Sequence, residues 1–459
     1  MTAPKTPSSL AVTLTVADDA CLTGGSPTLI ETLKNELTIA NPQYQDAKKY
    51  GRWIGKRIKP FLYFFSDRKE GFHFPRGFAK QAIQICRQIN GELPEIVDLR
   101  RELEPVDLSF QGSLRPYQSQ ALEAILGRDF GVLEAGTGSG KTVIALAVIA
   151  ARRQPTLVLV HTKELLHQWA ERIRTFLGME AGLIGDGHNE PGVVTVAIVN
   201  SARTRLDELT PLFGQICVDE CHRVPASLFT EVVTAFPCRY MLGLSATAFR
   251  RDGLTKLISI YLGAPVHRVS SHHLHATGAV LKPLFLQRET QFTFAYRGDY
   301  QALMTTLTTN EARNRQIVAD IKDELDHGDG TLLVVSDRIS HCEELALLLE
   351  EQGIEAAVLT GALAKDKRTA IVDDVREGRV KVLISTVQLI GEGFDCPGLT
   401  TLFLTTPIKF SGRLLQVVGR ILRPAEGKQA KVYDYLDPVG VLKSSARARQ
   451  LVYQEELPL

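Results

Sequence analysis

The chain of 459 residues exceeds what a single hydrophobic core usually supports, and at roughly 150 residues per domain it calls for about three units. Its composition, 44% hydrophobic and 23% charged, excludes a disordered chain, and no run reaches the ~18 uninterrupted apolar residues of a membrane-spanning helix. A formal net charge of +1 excludes a wholesale basic coat, so a polyanionic partner has to be held by local patches.

The N-terminal stretch Met1–Ser9 lacks a basic segment followed by an apolar one, and the seven cysteines include no C-x-x-C pair. The expectation is a cytoplasmic protein with reduced thiols, no disulfide framework and no zinc ribbon. Residues 1–105 read as a small α+β accessory unit, poorly patterned to about Leu22 and compact after it. Between Gln43 and Lys80 the basic residues, among them Lys56, Arg57, Lys59, Arg68 and Lys69, far outnumber the acidic ones and alternate with aromatic residues such as Trp53 and Phe72. Lysine and arginine neutralise phosphates, and aromatic faces stack on unpaired bases, so this region is a candidate nucleic-acid grip. The basic side chains are the expected contacts, whereas Phe61–Phe65 reads as a buried strand.

From about Phe130 to Thr247 short β-branched apolar runs at 130–134, 156–161, 193–199, 215–219 and 241–245 alternate with longer amphipathic stretches. The same rhythm restarts at 331–336 and continues through 356–360, 380–385, 400–405 and 431–435, with a helix predicted over 340–351. The fold class is therefore α/β, with two parallel-sheet domains in tandem at 106–264 and 311–459. The intervening residues 265–310 have weaker periodicity and read as a linker; the cluster His272, His273 and His275 within it reads as exposed linker histidines, not a metal site.

Three constellations carry chemistry. Gly136, Thr137, Gly138, Ser139, Gly140, Lys141 and Thr142 follow the first strand and open a helix, the context in which backbone N–H groups and a lysine cradle phosphates and a threonine hydroxyl ligates Mg²⁺. Ala135 stands where the usual pattern has a glycine. Asp219 and Glu220 follow an apolar strand, so that Asp219 can hold Mg²⁺ through water while Glu220 orients and deprotonates the attacking water. At Gln416, Arg420 and Arg423, offsets of four, three and seven share a helical face, placing two guanidiniums to reach a γ-phosphate.

These motifs, in this order, resemble those of the superfamily 2 DEAD/DEAH-box helicases, whose two domains are RecA-like. Leu114-Arg115-Pro116-Tyr117-Gln118 is similar to the family's adenine-recognising motif, which implies Arg115 and Gln118 at the nucleotide. Asp219-Glu220-Cys221-His222 matches motif II in a DECH form and brings in His222. Ser245-Ala246-Thr247 matches motif III, which in the family couples hydrolysis to strand movement, and Gly391–Asp395, with Gly393 and Asp395, matches motif V.

The continuation through Arg250, Arg251 and Asp252 is similar to the XPB-like and UvsW-like branch, where an Arg-Glu-Asp triplet follows motif III; here Arg251 replaces the glutamate. Thr162 and Lys163, Asn200 and Ser201, and Thr386 and Gln388 sit at the family's strand-tracking motifs, which grip phosphates without reading bases. The resemblance implies an ATP- and Mg²⁺-dependent helicase or translocase moving 3′ to 5′, with DNA preferred in single-stranded, forked or branched form. A duplex translocase that pumps without unwinding and an RNA helicase stay open as readings.

Overall fold

The computed structural model describes residues 11–456 except 50, 52, 56–57, 137, 224–225, 247–253, 329, 392–397, 409–410 and 426. The chain divides into two compact units, Met1–Ala135 with Gly140–Arg268 and Gly136–Ser139 with Val269–Leu459. Among the described residues no helix is long and apolar enough to cross a membrane.

The first unit holds an eight-stranded sheet in the order 188–190, 182–185, 194–198, 156–160, 215–218, 240–245, 130–135 and 265–269. Its central strands pair in parallel, with Gln215 level with both Thr156 and Tyr240, so their carboxyl ends finish along one edge. Helix Lys141–Arg152, an almost unbroken apolar run, is buried from Ile144 to Ala150. Helix Lys163–Leu177 buries Leu166, Trp169, Ile173 and Leu177, spaced as one helical face; Thr162 caps its start, and Gly178 ends it with φ 65°.

The five strands expected in this part form within a residue or so of their predicted bounds, whereas Gly182–Gly185 and His188–Glu190 were not anticipated. Two glycines in the first and three polar residues in the second erase any apolar period; His188–Glu190 is the edge strand and Gly182–Gly185 its neighbour.

The N-terminal portion carries its own five-stranded sheet, ordered 66–68, 71–74, 20–23, 13–16 and 95–98. The stretch before Leu22 is thus patterned: Thr13–Val16 and Ala20–Thr23 form an antiparallel hairpin, each burying every second residue. The core around Leu14, Leu33, Phe72 and Phe78 takes in Ile260 of the neighbouring helix, making this portion continuous with the large sheet domain. Gly77 lies so near the Tyr261 carbonyl that an added Cβ would sit 2.4 Å from it, so only glycine fits that approach. Beside it the buried Arg76 donates to the carbonyls of Ala17 and Cys238, both at 2.9 Å.

Phe61–Phe65 departs from its expected burial. Among the described residues strand Phe61–Tyr63 pairs with Thr38–Ala40 alone, and with that one neighbour it turns Phe61 and Tyr63 outward, 47% and 57% exposed.

The second unit holds a six-stranded parallel sheet in the order 284–289, 431–436, 399–404, 331–336, 382–386 and 356–359. Helix Glu311–His327 is tied to it by buried carboxylates: Glu324 accepts from Thr401, Lys431 and Tyr433, and Asp320 from Tyr435. Arg313 and Asp437 form a buried ion pair at 2.7 Å. Residues 265–310 are well structured, holding strands Pro265–Val269 and Leu284–Glu289 and helices Ser271–Ala276 and Tyr300–Thr308. Two tandem RecA-like sheets with a small α+β N-terminal domain make up the fold.

Candidate active site

Strand register decides what meets at the carboxyl edge of the first sheet. Asp219 follows the last residue of strand Gln215–Val218, and its backbone N–H donates to the Leu159 carbonyl on one side. Two residues on, Cys221 N–H donates to Leu244 on the other side. The turn between them forces Glu220 to φ 46°, left-handed backbone that a non-glycine residue adopts at a cost of about 1–3 kcal/mol. That conformation swings the two adjacent carboxylates into one buried corner, with Asp219 only 5% exposed.

Asp219 is clasped from two directions. The Trp169 indole N–H donates to Oδ2 at 2.8 Å and the Glu220 backbone N–H to Oδ1 at 2.9 Å. Lys141 begins its helix behind Gly140, donates to the Ala135 carbonyl at 3.1 Å and lies 3.8 Å from Glu220 Oε1. The loop before it folds on itself: Ser139 Oγ donates to the Gly136 carbonyl at 2.7 Å, and Gly138 and Gly140 take φ 86° and 79°. A Cβ at Gly140 would meet the Gln118 amide at 2.5 Å, so the glycine lets Gln118 reach the loop. Gln118 Oε1 also accepts from Arg115 N–H at 2.9 Å, closing the first turn of its helix. Arg115 is exposed.

Burial, with the adjacent Glu220 charge second, raises the Asp219 pKa to about 6. Burial raises Glu220 too, but the nearby Lys141, His222 and Arg223 outweigh it and hold Glu220 below its ordinary value. The pair therefore splits into a proton-prone Asp219 and an ionised Glu220. His222 Nδ1 lies 3.3 Å from Glu220 Oε2 and 2.9 Å from Ser245 Oγ, linking the carboxylate turn to the end of strand Tyr240–Ser245. His161, at the end of strand Thr156–Val160, is lowered to about 4 by burial and by Arg223, so it is neutral at physiological pH. Trp169 and Arg223 were not singled out from the sequence. Trp169 reads there as one more apolar residue of a helix face, and its one available signal is that a buried indole N–H needs an acceptor.

Of the strand-tracking candidates, the Thr162 hydroxyl accepts from Leu165 N–H at 3.3 Å as a helix cap. Lys163 opens the same helix, Asn200 and Ser201 lie on helix Val199–Arg203, Thr386 ends strand Val382–Thr386, and Gln388 is exposed just beyond it. Lys59, Arg68 and Lys69 are exposed, with Arg68 3.5 Å from Asp19.

In the second unit Arg420 lies on helix Ser411–Ile421, but Arg423 falls two residues past its end. A shared helical face therefore does not extend to Arg423. The cause is Pro424, whose ring disfavours α-helical backbone at the preceding residue. Lys56, Arg57, Thr137, Thr247, Arg250, Asp252, Gly393, Asp395 and the Gln416 side chain lie outside the described residues.

A glycine-rich turn opening a helix, a lysine beside a buried acidic pair, and a second parallel α/β sheet in tandem define a two-domain RecA-like nucleoside-triphosphatase. Residues 111–250 match the model of the type III restriction enzyme res subunit, and residues 315–425 match the helicase conserved C-terminal domain. The chain is 28% identical over 345 residues to the DNA 3'-5' translocase XPB2 of Sulfurisphaera tokodaii, covering 68% of this chain and 78% of that protein. It is 26% identical over 401 residues to the DNA 3'-5' helicase XPB of Kineococcus radiotolerans, covering 82% and 68%. Among solved structures, S. cerevisiae Dbp5 bound to RNA and ADP BeF3 superposes with a TM-score of 0.56 at 16% identity, covering 75% of this chain and 88% of that one. Carrying both helicase-domain models, the chain is an ATP-dependent nucleic-acid helicase of superfamily 2, similar to the XPB proteins.

Proposed function

We propose that this helicase moves 3′ to 5′ along DNA, and that its hydrolytic centre is Lys141, Thr142, Asp219 and Glu220. The observation that carries the centre is the split acidic pair, with an ionised Glu220 held 3.8 Å from Lys141 beside a desolvated Asp219. A carboxylate whose burial pushes it toward protonation is one that a divalent cation would relieve, and the Thr142 hydroxyl and Asp219 supply the hard oxygen ligands that Mg²⁺ takes. When bound, Mg²⁺ neutralises charge on the β- and γ-phosphates. Lys141 and the loop N–H groups orient those phosphates. Gln118, with Arg115, is assigned to the adenine side, and Glu220 accepts the proton of the attacking water. His222 links that carboxylate to Ser245, and Ser245, Thr247, Arg250 and Asp252 are assigned to coupling hydrolysis to movement. Arg420 and Arg423 are assigned to the γ-phosphate, with Gln416, Gly393 and Asp395 completing the second unit's share.

The DNA preference and the polarity rest on the names of the XPB relatives. Thr162, Lys163, Asn200, Ser201, Thr386 and Gln388 are assigned to the strand. The boundaries we favour are an accessory domain at 1–105, a nucleotide-binding domain at 106–264 and a second helicase domain from 311. The exposed Lys59, Arg68 and Lys69, with Lys56 and Arg57, support nucleic-acid binding by the accessory domain. The exposed Trp53, Phe61 and Tyr63 add stacking faces to it. A cytosolic location fits the six free cysteines among the described residues.

The test is ATP hydrolysis and strand displacement measured on single-stranded, duplex and forked DNA and on RNA. Stimulation by DNA with unwinding of a 3′-tailed duplex is expected, together with loss of stimulated turnover in Lys141→Ala and Glu220→Gln. Full turnover in either variant sinks the assigned centre, and stimulation by RNA alone sinks the DNA reading.

A further inference from the structure

The second unit contains an open cleft of about 690 Å³, within the ~300–1,000 Å³ range of small-ligand sites. Its floor comes from the carboxyl ends of the sheet strands, through Asp337, Arg338, Thr386 and Gln388. Its other wall is helix Tyr300–Thr308, which contributes Tyr300, Gln301 and Met304. That helix lies outside residues 315–425, the part matched by the helicase C-terminal model.

The wall is held firmly. Asp299 caps the helix by accepting from Ala302 N–H at 3.0 Å, and Leu303, Met304 and Leu307 pack with Phe292, Val439 and Leu442. Tyr300 is half-buried against that cluster, which fixes its ring with little entropy left to lose on binding. Across the cleft the loop is equally fixed, because Asp337 N–H donates to Thr406 Oγ1 at 2.8 Å and Arg338 N–H to Ser336 Oγ at 3.1 Å. The Arg338 guanidinium donates to Gln301 Oε1, so the helix also aims the cation.

The chemistry is divided. Arg338, Thr386 and Gln388 offer donors to a phosphate, while the carboxylate of Asp337 repels one and accepts instead from base amino groups or ribose hydroxyls. Tyr300 and Met304, with Ile339 and Leu389, offer apolar surface for a ring. A phosphate joined to a planar ring system, one nucleotide of a single strand, matches this division.

We propose that helix Tyr300–Thr308 forms the base-side wall of a single-nucleotide site, with Tyr300 packing on the base or sugar whose phosphate is held by Arg338, Thr386 and Gln388. The proposal rests on the nucleic-acid motor reading and names the positioning residues that would keep one unpaired nucleotide in register.

The test uses the full chain and a short fluorescein-labelled oligothymidylate, followed by anisotropy, together with oligonucleotides carrying 2-aminopurine at successive positions. Tyr300→Ala is expected to weaken binding about ten-fold, as loss of one base–aromatic stack implies, and to abolish the 2-aminopurine quench at one position. Tyr300→Phe is expected to keep both affinity and quench. Gln301→Glu, an exposed substitution that leaves the packed face intact, is expected to weaken binding by tying up Arg338. Parent affinity and an intact quench in Tyr300→Ala overturn the proposal, as does an equal loss in Tyr300→Phe, which would point to a hydroxyl or folding effect. A parent chain that binds no oligonucleotide and shows no stimulated ATP hydrolysis overturns the motor reading and this site with it. Stimulated hydrolysis in the parent with unaltered binding by the Tyr300 and Gln301 variants overturns only the site.

Discussion

Replacing Trp169 with Phe removes one hydrogen bond from the acidic centre and keeps most of the buried ring. The indole N–H donates to Asp219 Oδ2 at 2.8 Å, and a bond to a charged acceptor contributes about 1.5–3 kcal/mol. Because that bond favours the ionised carboxylate, its loss raises the Asp219 pKa, by about one to two units at 1.36 kcal/mol per unit. Asp219 already sits at about 6 through burial and the Glu220 charge, so at pH 7 about nine-tenths of it is ionised. In Trp169→Phe that share falls to roughly one half to one tenth. At sub-saturating Mg²⁺, where the proton and the cation compete for Asp219, ATP hydrolysis at pH 7 is expected to drop about two- to ten-fold and to recover on raising either pH or Mg²⁺. The assay is a pH profile of stimulated hydrolysis at limiting and saturating Mg²⁺, with a melting curve to show that the variant is folded. An acid limb and a Mg²⁺ half-saturation unchanged from the parent would refute the claim that Trp169 tunes Asp219.

Two further outcomes follow. His341 is buried between Ser336 Oγ and Asn314 Oδ1 and is lowered to about 3 by burial and by Arg313. Its folded pKa lies below the unfolded value of about 6.5, so the unfolded chain binds the extra proton and stability is lost as pH falls from there toward 3. About 2 kcal/mol should be gone by pH 5, read by urea unfolding, and His341→Gln should lose less over the same range; parallel acid slopes would exclude this role. Reversing Lys59, Arg68 and Lys69 together should weaken binding of single-stranded DNA and flatten its dependence on salt by about 0.7 in log–log slope for each phosphate no longer neutralised, whereas an unchanged slope would remove the accessory domain from the binding surface.

The class of this protein was legible in its sequence because the relevant chemistry is local. A glycine-rich turn before a helix, two acidic residues after an apolar strand, and β-branched runs at regular spacing each state their structure within a few residues. The inner strands of both large sheets were readable for the same reason, whereas Pro265–Val269 and Leu284–Glu289 lie in the stretch read as a linker. Nor were two others readable: Gly182–Gly185 and His188–Glu190 have no apolar period, and pairing with a neighbour is what makes them strands. The helical spacing of Gln416, Arg420 and Arg423 was visible, yet Pro424 ends the regularity that would have given all three one face.

Tertiary structure alone decided the electrostatic division of the acidic pair. That Trp169 should steady Asp219, fifty positions away, follows from the helix-to-strand packing that brings the indole N–H to the carboxylate. The left-handed turn at Glu220, the approach at Gly77 that leaves room for no Cβ, and the cleft walled by Tyr300 are likewise products of packing. Residue order specifies which groups are available and their local period. Burial and distance set their charge states, and these arise only when strands from distant parts of the chain align.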